Sequence, residues 1–87
     1  MSDPLLDELR SRISGLDREV LAAVNRRLEL VAQLKEHKEA LGLAFVDRGR
    51  EARMLDELRA ANRGPLSDEG VAALLRALLD LTKAELR

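Results

Sequence analysis

The sequence predicts an all-α protein with one long, one short and one medium helix, assembled as an intertwined homodimer. Apolar residues recur at intervals of three, four and seven, which is typical of amphipathic helices. Pro and Gly fall where helices begin and end. The first helix is also too long for one small domain to cover, which indicates the dimer.

The first helix is predicted from Pro4 to Leu41. Asp3 is a suitable N-cap, Pro4 suits the first helical position, and Gly42 is a natural C-cap. Two rows with a seven-residue spacing form its apolar side: Leu6, Ile13, Val20, Arg27, Leu34 and Leu41, and Leu9, Leu16, Ala23, Leu30 and His37. The helix would measure about 57 Å, whereas a compact chain of this size is about 26 Å across. A second copy of the chain is therefore expected to cover its far half.

Two shorter helices follow the first. Asp47 predicts the start of the second, which runs to about Asn62 and ends at the Gly and Pro of "NRGP". Ser67 caps the third, which has acidic residues in its first turn. The apolar side of the second helix is formed by Met54, Leu55 and Leu58. The residues of the third helix expected to face the core are Val71, Leu74, Leu75, Leu78 and Leu79.

Composition narrows the classes of function. Residues 1–87 suffice for one small domain, and they contain no Cys, one His and one Phe. Disulfides, thiolate or multi-His metal sites and base-stacking contacts with nucleic acid are therefore not expected. The net charge of −1 gives no basic field for a polyanion, and no apolar run approaches the roughly 20 residues of a membrane helix. We expect a cytoplasmic protein that binds neither nucleic acid nor membrane and carries no metal.

Two cations interrupt the apolar side of the first helix. Arg27 occupies a core position of the first row, and Lys38 follows eleven residues later. Eleven residues are about three turns, so both side chains point within roughly 20° of each other, about 16 Å apart, with Leu34 between them. This arrangement favours a pocket for a small dianion, although a structural ion pair or a snorkelling side chain would also explain Arg27. Arg10 lies about 25 Å from Arg27 on the same helix, so only the Arg10 of a second copy could share its ligand. Taken alone, Arg10 is interpreted as a solvated surface residue.

Further polar residues lie near these cations. Asp47, Arg50 and Glu51 are interpreted first as a helix cap and exposed first-turn charges. Thr82 and Glu85 carry polarity into the apolar stripe of the third helix, at about 40° and 20° from Leu78. The alternative for both is a frayed last turn with the two groups in water.

The order and spacing of these residues resemble the all-α class of chorismate mutase. The similarity extends from about Leu5 to Thr82, through "LRSRISGLDREVL", "NRRLELVAQLKEHK", "VDRGREARML" and "RGPLSDEGV". Its most specific piece is Val46-Asp47-x-x-Arg50-Glu51. The resemblance implies an intertwined dimer with two active sites that rearranges chorismate to prephenate, without a cofactor, on the way to phenylalanine and tyrosine. It also allows a fusion or association with another enzyme of this pathway.

The resemblance implies roles for individual residues. Arg10 of one copy and Arg27 of the other would bind the substrate carboxylates, and Lys38 would contact a carboxylate and the ether oxygen. The residues implied at the ring-hydroxyl end are Asp47, Arg50 and Glu51. Thr82 stands where relatives often carry a small polar residue that contacts the substrate.

The third helix departs from the family at one position. Relatives usually carry Gln or Glu aimed at the ether oxygen four residues after Thr82, and this chain has Leu86 there. Either Glu85, one residue earlier, serves in its place as a protonated donor, which would favour activity at lower pH, or the contact is missing.

Two other functions fit the same residues. An isochorismate pyruvate lyase on the same scaffold would use a similar set of cations, although "FVDRGRE" looks more like the mutases. A non-catalytic helical module for dimerisation or regulation would account for the departure at Leu86. Loss of chorismate with identification of the product distinguishes the three.

Overall fold

Three helices make up the fold. The computed structural model describes residues 3–44 and 47–86. The helices are α1 (Pro4–Ala40), α2 (Arg48–Ala61) and α3 (Asp68–Glu85), and α3 packs against both α1 and α2. The prediction of an all-α chain with three helices is confirmed.

Both ends of α1 are capped by the residues that the sequence predicts. The Asp3 carboxylate accepts hydrogen bonds from the backbone N–H groups of Leu5 at 2.9 Å and Leu6 at 3.2 Å. At the other end the Gly42 N–H donates to the Glu39 carbonyl and the Leu43 N–H to the Lys38 carbonyl, at 3.1 and 2.8 Å. This pair of bonds is a Schellman motif, and it needs the positive φ of +72° that Gly42 adopts. The chain therefore turns off the axis of α1 at this point. Val46, part of the quoted "VDRGRE" motif, lies outside the described residues.

Side-chain caps also start the two shorter helices. The Asp47 carboxylate accepts from the Arg50 N–H at 3.1 Å, and the Ser67 hydroxyl accepts from the Gly70 N–H at 3.0 Å. Between α2 and α3, the Asn62 amide donates to the Leu66 carbonyl at 2.7 Å. The capping residues therefore fix where α2 and α3 begin.

The buried core of a single chain is small. Val71 and Leu75 of α3 are 4% and 5% exposed, and although every residue of α1 is described, none is buried. The expectation that Leu74 faces the core is wrong for the single chain, since it is 49% exposed. It lies to one side of the stripe that runs through Val71, Leu75 and Leu78, and that stripe points at the other helices.

The shape of the chain is elongated. Its principal extents are 62 × 24 × 18 Å and its radius of gyration is 17.0 Å, whereas about 12 Å is expected for a compact chain of this length. The apolar rows of α1 remain exposed: Leu16 and Val20 are both 59% exposed and Leu30 is 64% exposed. One face of α1 is thus left uncovered by the other described residues. Among the described residues, no helix has the length and apolarity needed to cross a membrane.

Candidate active site

A cavity of about 550 Å³ lies where the three helices meet. This volume is within the range of small-molecule sites. Each helix contributes one stripe of side chains at helical spacing. The lining residues are Arg27, Val31, Leu34 and Lys38 from α1, Asp47 with Arg50, Glu51 and Met54 from α2 and its cap, and Leu79, Thr82 and Lys83 from α3.

The cavity carries an excess of positive charge. Its described lining has four cationic side chains, Arg27, Lys38, Arg50 and Lys83, against the carboxylates of Asp47 and Glu51. The whole chain, by contrast, has a net charge of −1. Cations are therefore concentrated at this cavity, among apolar side chains that weaken solvent screening. Such a lining suits a small dianion with an apolar body.

Arg27 is held in place by α3. Its Nη1 atom donates to the Thr82 hydroxyl at 2.7 Å, and that hydroxyl donates to the Leu78 carbonyl at 2.8 Å. Arg27 is half-buried and Thr82 is only 6% exposed, so the alternative of Thr82 in water at a frayed helix end is wrong. The bond uses one N–H group of the guanidinium and fixes its orientation. Because the Thr82 hydroxyl donates its proton to the Leu78 carbonyl, it cannot also donate a hydrogen bond to a ligand.

The wall formed by α1 contains the three residues that helical periodicity places on one side of this helix. Arg27, Leu34 and Lys38 all line the cavity, and Lys38 is half-buried. The Lys38 backbone carbonyl accepts the Leu43 N–H of the Schellman motif. The turn that ends α1 is therefore anchored at Lys38, and Asp47, which caps α2, lines the same cavity.

Asp47 connects the cap of α2 with the cavity. One carboxylate oxygen accepts the Arg50 N–H, and the other lies 3.8 Å from the Arg53 guanidinium. Both side chains of that ion pair are more than half exposed, so it contributes little to stability. The cap has the greater effect, because it aligns Arg50 and Glu51 on the side of α2 that lines the cavity.

Two predicted site residues lie elsewhere. Glu85 lines a second cavity of about 600 Å³, and Arg10 is absent from the described lining of both this cavity and the main one. That cavity lies between the middle of α1 and the end of α3, and its described lining includes the carboxylates of Asp17 and Glu85 but no cation. Although it is slightly larger, it does not suit an anion. Leu86 is half-buried, and its backbone carbonyl accepts a hydrogen bond from Lys35 Nζ at 2.7 Å.

The sequence does not predict the roles of two lysines, one near the main cavity and one in its lining. Lys35 holds the end of α3 against α1, and Lys83 lines the main cavity beside Thr82. The spacing of Lys83 from Leu79 could have predicted its position. Residues four apart lie on the same side of a helix, and both residues line the cavity. Glu85 points instead within about 20° of Leu78, and it lines the second cavity. Across the described residues, no three His, Asp or Glu side chains are grouped so as to hold a metal ion.

Comparisons with known proteins agree with this geometry. The family model of chorismate mutase type II matches residues 9–86. Two solved structures of chorismate mutase from Thermus thermophilus are similar to this chain. Form I is 31% identical with a TM-score of 0.85, covering 88% of this chain and 96% of that one. Form II is 30% identical with a TM-score of 0.87, covering 91% of this chain and 90% of that one.

A search of curated proteins finds no match. The family model nevertheless spans nearly the whole sequence, and the structural similarity covers all three helices. By both measures, the chain belongs to the chorismate mutase type II family.

Proposed function

We propose that the main cavity binds chorismate and catalyses its rearrangement to prephenate, in phenylalanine and tyrosine biosynthesis in the cytoplasm. The observation that carries this proposal is the alignment of Arg27 and Lys38 on one wall of a cavity with excess positive charge. Chorismate is a dicarboxylate with an apolar ring, so its charge complements the cavity. The structural similarity to chorismate mutases supports the same reaction.

The reaction is an intramolecular rearrangement in which one carbon–oxygen bond breaks while one carbon–carbon bond forms. It needs no nucleophile and no redox step. The protein can accelerate it by holding the two carboxylates so that the reactive, compact conformer is bound. It can also place a donor at the ether oxygen, where negative charge grows in the transition state.

Six polar residues of the cavity have a task in this mechanism. Arg27, oriented by Thr82, binds a substrate carboxylate, and Lys38 donates to the ether oxygen and to a carboxylate. Thr82 acts as a positioning residue, because its proton is already donated to Leu78. The ring-hydroxyl end of the substrate is held at the start of α2, by Asp47, Arg50 and Glu51.

A second copy of the chain completes the proposed site. Arg10 lies about 25 Å from Arg27 along α1, and the apolar rows between them are exposed. Two α1 helices packed antiparallel would bury these rows and bring the partner's Arg10 to the cavity. The extent of 62 Å and the absence of a buried residue in α1 both support this intertwined homodimer.

The dimer predicts a large effect of charge in the middle of α1. Leu16→Glu places a carboxylate in the apolar row, so we expect loss of the dimer and of much of the helicity of α1. Ser14→Glu is the matched control, since Ser14 is exposed and lies outside both rows. Sedimentation equilibrium and far-UV circular dichroism measure both properties. A monomeric wild type, or a dimeric and fully helical Leu16→Glu variant, would contradict the proposal.

The activity itself is tested by adding chorismate to the purified protein. We expect its ultraviolet absorbance to fall and prephenate to accumulate as the product. If chorismate is left intact while isochorismate yields pyruvate and salicylate, the lyase alternative is correct. If neither substrate reacts, the chain is a non-catalytic helical module.

A further inference from the structure

We propose that Lys83 is a second catalytic cation, which donates to the ether oxygen of the substrate from the wall opposite Lys38. This inference rests on the proposed function and adds a residue from α3 to it. Lys83 lines the main cavity together with Leu79 and Thr82. Of these three described residues of α3, Lys83 is the one with a charged side chain.

Two contacts fix the level of Lys83 within the cavity. Thr82 accepts a hydrogen bond from Arg27, and the Leu86 carbonyl accepts one from Lys35. From Thr82 to Leu86, α3 therefore advances in the same direction as α1 does from Arg27 to Lys35. Lys83 follows Thr82 by one residue, so it lies beyond the level of Arg27 and on the Lys38 side of it. Its backbone is thus about 1.5 Å from the level of Thr82, and its flexible four-carbon side chain gives the ammonium access to the space between Arg27 and Lys38.

The middle of the cavity is where the reacting bonds are expected. In the proposed mode of binding, Arg27 holds a carboxylate at one end, and the start of α2 holds the ring hydroxyl at the other. The ether oxygen lies between these two ends. An ammonium from α3 can therefore approach it from the side opposite Lys38, so that both lysines stabilise the developing negative charge.

The other polar groups near the end of α3 do not supply this donor. Glu85 lines the second cavity, and the Leu86 side chain has no polar atom. The Thr82 proton is donated to the Leu78 carbonyl. Lys83 is thus the donor that α3 offers to the main cavity within the described residues.

Lys83→Met tests the proposal because it removes the charge and keeps most of the side-chain length. We expect kcat for chorismate to fall about 10- to 100-fold, less than the loss of a fully enclosed donor because Lys83 is exposed. KM is expected to change less than kcat, and Lys83→Arg is expected to recover part of kcat. The matched control is Arg76→Met, which removes an exposed charge from α3 outside both cavities.

Thermal unfolding of the ligand-free protein distinguishes catalysis from a structural role. Lys83 shares the cavity with three other cations, so its removal relieves repulsion. The midpoint of Lys83→Met is therefore expected to equal or exceed that of the wild type, while its kcat is lower. A lower midpoint would indicate a structural role and overturn the proposal.

Three further outcomes would also overturn the proposal. An unchanged kcat would show that Lys83 does not contact the reacting atoms. A rise in KM that disappears at high salt, with kcat unchanged, would show that Lys83 only attracts the dianion. Both outcomes leave the proposed function intact, because the wild type still forms prephenate. A wild type that does not react with chorismate would overturn the proposed function together with the role of Lys83.

Discussion

Lys38→Ala is expected to lower kcat for chorismate by about 10²- to 10³-fold. Loss of one donor to a developing negative charge typically costs about 3 kcal/mol of transition-state stabilisation. Lys38 is half-buried beside Leu34 and Val31, so water replaces its ammonium poorly and the effect should approach this full value. Steady-state kinetics with purified protein measure it.

The controls for this prediction separate charge from geometry and from folding. Lys38→Arg keeps the charge but displaces it, and is expected to recover only a small part of kcat, because a guanidinium is planar and larger than an ammonium. Lys38 is in the wall of a cavity rather than in the core, so circular dichroism and the oligomeric state of Lys38→Ala should match the wild type. Near-normal kcat in Lys38→Ala would reject its assignment as the ether-oxygen donor.

Helix positions were predictable from the sequence because their causes are local. Asp3, Asp47 and Ser67 each accept a backbone N–H two or three residues later, so a capping residue and its neighbours decide where a helix begins. The turn after α1 likewise follows from the positive φ of Gly42. Helical periodicity also placed Arg27 and Lys38 on one side of α1, and both line the cavity.

The contribution of α3 to the cavity was harder to predict, because it depends on how α3 is rotated against α1. A shift of the assumed facing direction by one residue, about 100°, exchanges the residues that line a cavity. The long-range bonds from Arg27 to Thr82 and from Lys35 to Leu86 set this rotation, and their partners are separated by more than 50 residues in sequence. The structure places Lys83 at the main cavity and Glu85 at the second one, and helical periodicity alone does not distinguish between the two.

Mixing Arg10→Ala with Lys38→Ala subunits is expected to restore activity that neither variant has alone. In the proposed dimer each site combines Lys38 of one copy with Arg10 of the other. A heterodimer of the two variants therefore has one site with both substitutions and one site with neither. After unfolding and refolding of an equimolar mixture, about half of the dimers are heterodimers, so about a quarter of the wild-type activity should return.

A second mixture tests the same sharing of sites between subunits through a loss of activity rather than a recovery. When the wild type is mixed with the double variant Arg10→Ala/Lys38→Ala, every site of the heterodimer lacks one of the two side chains. Activity should then fall to about a quarter of the wild-type value, because only wild-type homodimers remain active. If Arg10 instead served the site of its own chain, the first mixture would stay inactive and the second would keep about half of the activity. Since the two arrangements change the two mixtures in opposite directions, loss of folding in a variant cannot imitate the result expected for a site shared between subunits.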